Sequence, residues 1–273
     1  MTPADPYSAP RIGVFDSGLG GLSVLRAIRQ RLPRARLLYV ADSGHAPYGE
    51  RGDDYVCERS LAIAAFLKSQ GAQILVIACN TATAAAASSV RTRYPDGLIV
   101  GVEPGVKPAA SLTRNGRVGV MATTGTLRSE RFRLLALAHA AHIDLRLQPC
   151  PGLAAAIESG QVDAGPVRER VAASCAPLRE QDVDTVVLGC THYPFVAHHI
   201  QAEMGPNVQL VDTSEAVARR TESLCAALPP APVDRSPAAA APARLWTTGD
   251  ARTLHDFVER WLDFDCLIET LDT

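Results

Sequence analysis

The sequence predicts an α/β protein with mainly parallel, doubly wound sheets, built as two related halves. Three observations lead there. Short apolar, β-branched runs alternate with amphipathic helical patterns along nearly all of the 273 residues. The runs are apolar throughout rather than alternating, as in parallel strands that carry helices on both faces. Two stretches also recur in the same order. Ile12-Gly-Val-Phe-Asp16-Ser-Gly matches Val118-Gly-Val-Met-Ala-Thr123-Thr-Gly125 at an offset of 106, and Ile74-Leu-Val-Ile-Ala-Cys79-Asn-Thr81 matches Val186-Val-Leu-Gly-Cys190-Thr191-His192 at 111. A duplicated unit of about a hundred residues accounts for both offsets.

Taken in order, Arg11–Phe15 reads as a strand, and Leu22–Leu32 as a helix with Val24, Leu25, Ile28 and Leu32 on one face. Leu37–Val40 is the next strand and Asp53–Gln70 the next helix. Ile74–Ala78 is a third strand, followed by an Ala-rich helix over Thr83–Arg93. Leu98–Val102, Arg117–Met121, Ile143–Leu147, Thr185–Leu188 and Val208–Val211 continue the strand series. From Leu228 to Ala243 the chain is rich in Pro and Ala without periodicity, the pattern of an exposed loop of variable length. A strand at Arg244–Thr248 follows, then a helix opening at Asp250 with Leu254, Phe257, Val258, Trp261 and Leu262 on one face. That tail has to pack on one of the halves.

Composition narrows the function. With 27 Lys+Arg against 29 Asp+Glu, the net charge of −2 offers no footprint for nucleic acid or an anionic membrane. MTPADPYSAPR has no basic segment leading into an apolar core, so no signal peptide is expected. No window reaches the ~18 apolar residues of a membrane span. A soluble, cytoplasmic protein is the expectation. Seven cysteines, an odd number without C-x-x-C spacing, point to free thiols in a reducing compartment and away from a zinc knuckle. Lys68 and Lys107 are the two lysines, one late in an amphipathic run and one between prolines without an apolar pocket, which argues against pyridoxal phosphate.

Ligands in open α/β sheets bind beyond the carboxyl ends of the strands. The informative residues are therefore Asp16-Ser17, Asp42, Cys79-Asn80-Thr81, Thr123-Thr124 and Cys190-Thr191-His192. Cys57, Cys150, Cys175, Cys225 and Cys266 read as structural thiols, since free cysteine is usually buried and inert. Cys79 and Cys190 differ: each ends a strand, one in each half, so they face each other across the crevice between the halves. Such a pair can form a redox disulfide, bind a soft metal, or act as acid and base on two faces of a substrate. Metal binding lacks ligands at suitable spacing, with His192 near and His198 and His199 reading as solvated helix residues, so no metal is expected. Two-base chemistry fits better, because inverting a stereocentre needs a base on one face and an acid on the other. A free thiol of pKa about 8.5 is only a few per cent thiolate at neutral pH. A cationic His192 would help Cys190 ionise. Asp16 has the wrong charge to do so for Cys79, and is better cast as a hydrogen-bond acceptor, a proton relay or a partner for a substrate ammonium.

The Gly-rich turn Asp16-Ser-Gly18-Leu-Gly20-Gly21-Leu-Ser23 has a rival reading as a degenerate dinucleotide fingerprint, with Asp42 near the position of a ribose-binding acid. Asp16 would then put a negative charge at the phosphate cradle. A tight turn exposing N–H groups at a helix start, suited to any anion including a carboxylate, explains the glycines as well.

Five blocks together, Val14-Phe-Asp-Ser-Gly-Leu-Gly-Gly-Leu-Ser-Val, Asp42-Ser-Gly-His-Ala-Pro-Tyr-Gly-Glu-Arg, Ile77-Ala-Cys-Asn-Thr-Ala-Thr, Gly101-Val-Glu-Pro-Gly-Val-Lys-Pro and Leu188-Gly-Cys-Thr-His-Tyr-Pro, resemble those of bacterial glutamate racemases, in the same order from about Arg11 to Asp263. The resemblance implies a cofactor-independent racemase of two pseudo-symmetric α/β domains with the site between them, supplying D-glutamate for peptidoglycan. It implies domains of 1–101 plus 212–273, carrying Cys79, and 102–211, carrying Cys190, with a homodimer as the expected assembly. By the same resemblance Cys79 takes the proton from D-glutamate and Cys190 from L-glutamate, Asp16 assists Cys79, and His192 assists Cys190. Ser17, Asn80, Thr81, Thr123, Thr124 and Thr191, with the backbone of Pro47-Tyr48-Gly49, hold the carboxylates and ammonium. Glu158, in Ala156-Ile-Glu-Ser-Gly160, matches a shorter family block near the second cysteine. The Pro/Ala-rich stretch at 229–243 departs from the family pattern and leaves the chemistry intact. The competing readings are an aspartate or hydantoin racemase of the same architecture, a nicotinamide-dependent dehydrogenase using the Gly18 turn, and a two-lobed binding module.

Overall fold

The computed structural model describes residues 9–228 and 241–272. Residues 229–240 of the Pro/Ala-rich stretch, and the first eight residues read for a signal peptide, lie outside the described residues.

The strands are β1 (Arg11–Asp16), β2 (Arg36–Ala41), β3 (Ile74–Ile77), β4 (Leu98–Gly101), β5 (Arg117–Ala122), β6 (Asp144–Pro149), β7 (Thr185–Leu188), β8 (Gln209–Val211), β9 (Ala243–Thr247) and β10 (Cys266–Thr270). The helices are α1 (Leu22–Arg31), α2 (Asp53–Ser69), α3 (Asn80–Arg93), α4 (Val106–Leu112), α5 (Thr124–Arg128), α6 (Glu130–His139), α7 (Leu153–Glu158), α8 (Gly165–Glu180), α9 (Ala197–Met204), α10 (Ser214–Cys225) and α11 (Ala251–Trp261). They form two sheets, ordered β10-β9-β2-β1-β3-β4 and β6-β5-β7-β8, in which every pair is parallel.

The recurring stretches of sequence occupy equivalent places. β1 and β5 lie at the centre of their sheets, β3 and β7 beside them, and the cores β2-β1-β3-β4 and β6-β5-β7-β8 have one order. In each, the chain winds one way from the central strand and then the other, so a crevice opens at the carboxyl ends of β1 and β3 and of β5 and β7. Asp16 and Cys79 stand at the first crevice, Thr123 and Cys190 at the second.

Burial on both faces explains the apolar runs. β3 and β7 are buried at every residue, and β1 from Ile12 onward. The edge strands β6 and β10 differ: they leave residues in solvent, because one side lacks a covering neighbour. β10 carries an apolar run of only three residues, Cys266-Leu267-Ile268, too short to mark a strand in the sequence. The largest apolar core runs through both halves, from Ile12, Val14 and Leu25 to Val186, Leu188 and Tyr193.

Two expectations are corrected here. α3 starts at Asn80, not Thr83, because Cys79 caps it: the sulfur accepts from the Ala82 N–H at 3.4 Å. The tail does not choose one half. β9 and β10 extend the first sheet, while α11 turns its apolar face to Phe195, just after β7 in the second half. Phe257 meets the Phe195 ring edge-on at 4.8 Å between centroids, and Trp261 lies at 4.9 Å.

Candidate active site

β1 delivers Asp16 to a completely buried position. One carboxylate oxygen accepts from the Ser17 N–H (2.7 Å) and hydroxyl (3.2 Å). The other accepts from the Thr191 hydroxyl of the opposite half at 3.0 Å. Cys79 lies at the end of β3 with its sulfur 3.6 Å from the Ser17 hydroxyl. Burial pushes the Cys79 thiol well up, and the Asp16 charge adds to it. Burial also raises Asp16, opposed by His192 and reinforced by Glu158. This wall of the site favours protonated groups.

The other wall holds a charged pair instead. After β7, Cys190 Sγ stands 3.7 Å from His192 Nδ1, and His192 Nε2 lies 2.6 Å from Glu158 at the end of α7. Burial works against the His192 cation, but hydrogen bonds to Cys190 and Glu158 outweigh it and hold its pKa well above the usual 6.5. Burial likewise works against the Glu158 anion, yet His192, Ser43 and the Leu19 N–H together keep its pKa below the usual value. The pair is therefore imidazolium and carboxylate, with Nε2–H directed at Glu158 and Nδ1 facing the sulfur.

Glu158 also joins the two halves. Its oxygens accept from the Leu19 N–H at 3.1 and 2.9 Å and from the Ser43 hydroxyl at 2.6 Å, both in the first half. The glycines between Asp16 and α1 now have a physical reason. A Cβ on Gly18 would overlap the Glu158 carboxylate, and one on Gly20 would overlap His192 Nδ1 and the Thr191 hydroxyl. The turn makes room for the opposite wall and leaves no room for a pyrophosphate. Asp42 is equally committed: it accepts from Arg59 and from the hydroxyls of Tyr48 and Thr248. These two observations overturn the dinucleotide reading of the turn.

One cleft collects Ser17, Pro47, Tyr48, Gly49, Cys79, Asn80, Thr81, Thr123, Glu158, Cys190, Thr191 and His192 on its walls. Asp16 stands behind them. Thr124 is not brought in; as the first residue of α5 it lines a neighbouring recess with Pro151 and Gly152. Thr126, Ala154 and Ala155 line the cleft and were not anticipated from the sequence. The Thr81, Thr123 and Thr126 hydroxyls form a cluster with spacings of 3.0 to 3.3 Å. Thr126 is three residues past the capping Thr123, so the capping pattern was the available signal. Ser43 was missed although it follows Asp42 at a strand end, where the same rule would have found it.

All seven cysteines are free. Burial lifts Cys150 to about 11 and Cys175 to about 12, as suits inert core thiols. Cys57, Cys225 and Cys266 are only partly buried. Among the described residues, the groupings with metal-ligand spacing are Asp163/His198/His199 and His255/Asp256/Glu259, both at the surface outside the cleft. His198 and His199 are thus not simply solvated: both lie against Asp163. No helix among the described residues is long and apolar enough to cross a membrane.

Two parallel α/β halves that bring one strand-end thiol each into a shared cleft have the architecture of a racemase. Comparison with known proteins agrees. The sequence profile described as Asp/Glu/Hydantoin racemase matches residues 12–221. Glutamate racemase of Ectopseudomonas mendocina is 54% identical over 213 residues, 78% of this chain and 81% of that protein. The Escherichia coli glutamate racemase structure, in complex with L-glutamate and the activator UDP-MurNAc-Ala, superposes with a TM-score of 0.85 at 32% identity, covering 96% and 98% of the two chains. A glutamate racemase isoform from Bacillus anthracis gives 0.84 at 30% identity, with 98% of each chain covered. The chain belongs to the Asp/Glu/hydantoin racemase family, in its glutamate racemase group, and is an isomerase.

Proposed function

We propose that this enzyme interconverts L- and D-glutamate by two-base proton transfer at Cα, with Cys79 and Cys190 as the acid/base pair. The observation that carries the reading is that both thiols line one cleft, each with its own polar partner: Ser17 and Asp16 for Cys79, His192 and Glu158 for Cys190.

From L-glutamate, the Cys190 thiolate takes the Cα proton. The C–H electron pair stays on Cα, delocalised into the α-carboxylate, and the Cys79 thiol gives its proton to the opposite face. Cys190 ends as thiol and Cys79 as thiolate. The raised pKa of Cys79 suits this direction, because a thiol that holds its proton is the acid the step requires. The reverse reaction starts from the Cys79 thiolate, with Asp16 as its assisting acceptor. His192 exchanges the proton of Cys190. The hydroxyls of Ser17, Thr81, Thr123 and Thr191, the Asn80 amide and the backbone of Pro47-Tyr48-Gly49 hold the substrate carboxylates and ammonium. No cofactor or metal enters the scheme.

The same reading divides the chain into domains of 1–101 plus 212–273 and 102–211. It places the enzyme in the cytoplasm as a homodimer supplying D-glutamate for peptidoglycan. The sheet membership of the strands supports the division, the free thiols suit a reducing compartment, and the kinship with glutamate racemases supports the role.

The test is racemisation in D2O. One solvent deuteron should enter Cα of the product, and Cys79→Ser or Cys190→Ser should each abolish racemisation. Retained racemisation in both variants removes the mechanism. Running L-aspartate beside L-glutamate decides between substrates of the family, and faster turnover of aspartate would overturn the assignment.

A further inference from the structure

Asp42 is a completely buried carboxylate that the proton-transfer scheme leaves unused. Four donors from three separate stretches of chain converge on it. Arg59 of α2 donates from Nε at 3.0 Å and from a terminal nitrogen at 2.8 Å. The Tyr48 hydroxyl donates at 2.5 Å, and the Thr248 hydroxyl, from the tail just past β9, at 2.8 Å. Burial and the neighbouring Asp42 charge push the Tyr48 phenol far up, so it stays a donor.

Tyr48 lies between Pro47 and Gly49, and all three line the cleft. The tail grips this stretch at a second point. Thr248 Oγ1 accepts from the Gly44 N–H at 3.1 Å. A Cβ on Gly44 would overlap the Thr248 carbonyl, and one on Gly249 would crowd the Ser43 side chain at 2.9 Å. Ser43 in turn donates to Glu158.

We infer that Asp42, Arg59 and Thr248 form a positioning frame for the cleft wall at residues 43–49, so that the carboxy-terminal tail is part of the substrate-binding apparatus. The frame acts through Tyr48: a carboxylate held by a guanidinium and a threonine hydroxyl fixes the phenol, and the phenol fixes the backbone of Pro47 and Gly49. The inference rests on the assignment of that backbone to a substrate carboxylate. It goes further in making a distant segment responsible for substrate affinity, without a role in proton transfer.

Removing Arg59 outright would strand a buried charge, so the test uses the near-isosteric Thr248→Val, with Thr248→Ser as the conservative partner and Arg59→Lys as a second perturbation. Two readouts are taken on the full chain: hydrogen exchange of the backbone amides at 43–50, and KM and kcat for both enantiomers of glutamate. Thr248→Val should raise exchange at 43–50 and raise KM in both directions about tenfold, the size expected for losing one hydrogen bond to a charged group, with kcat within about twofold. Thr248→Ser should return both to the wild-type values, and Arg59→Lys should move them the same way as Thr248→Val. Unchanged exchange at 43–50 overturns the frame whatever the substrate proves to be. Faster exchange with an unchanged KM, or a loss confined to kcat, overturns the positioning role. Racemisation of glutamate by the unmodified enzyme, measured alongside, decides the substrate assignment separately.

Discussion

Replacing Glu158 by Gln removes the carboxylate that holds His192 charged in a buried site. Three donors point at its two oxygens: His192 Nε2 at 2.6 Å, the Ser43 hydroxyl at 2.6 Å and the Leu19 N–H at 2.9 Å. An amide accepts at one oxygen only, so at least one donor is left facing an NH2 group. The His192 and Glu158 side chains are 6% and 15% exposed, so solvent does little to replace the lost partner. A charge-assisted hydrogen bond of this kind is worth about 1.5–3 kcal/mol. Its loss lowers the His192 pKa, because this bond is one of the contacts that raise it. The expected kinetic result is a fall of about 10–100-fold in kcat/KM for L-glutamate. Because His192 loses its proton earlier, the alkaline limit of activity should move to lower pH. Stability follows the same logic. The share from the lowered Glu158 is present above about pH 4.3 and lost as pH falls through its folded value. The share from the raised His192 is present below about pH 6.5 and lost as pH rises through its folded value. The gap in thermal stability between wild type and Glu158→Gln should therefore be widest at about pH 4.5–6.5. Imidazole NMR titration with pH-dependent circular dichroism assays of racemisation reads both effects. A His192 midpoint that stays at its wild-type value in Glu158→Gln refutes the reasoning.

Gly20→Ala forces a methyl group against His192 and Thr191; kcat/KM should fall about 100-fold, as a misplaced catalytic group predicts, while far-UV circular dichroism stays unchanged. Phe257→Ala empties the edge-on contact between the tail and Phe195 and should cost about 3–5 kcal/mol in urea denaturation; a loss under about 1 kcal/mol would show that α11 is not part of the cooperative core.

The strands were legible because a parallel sheet covered on both faces leaves continuous apolar runs, and Thr185–Leu188 was read with its observed bounds. β10 and the start of α3 were not. An edge strand needs no such run, and a cysteine is not an expected helix cap. The polar residues after strands contained most of the cleft, since strand ends in such sheets point toward the crevice. Thr124 shows the limit: adjacency in sequence placed it beside Thr123, but successive side chains at the start of a helix point about 100° apart.

The sequence by itself determined the α/β class, the doubled unit and the two cysteines, because periodicity, repetition and residue type are local properties of the chain. Only the tertiary structure decided how the doubled units meet. Glu158 reaches Leu19 across 139 positions of sequence, and Thr191 reaches Asp16 across 175. It also decided that the tail serves both halves and that the Gly-rich turn receives Glu158 and His192 rather than a phosphate. Those outcomes depend on which side chains compete for the same buried volume and the same hydrogen-bond donors, and that competition exists only once the two sheets have packed.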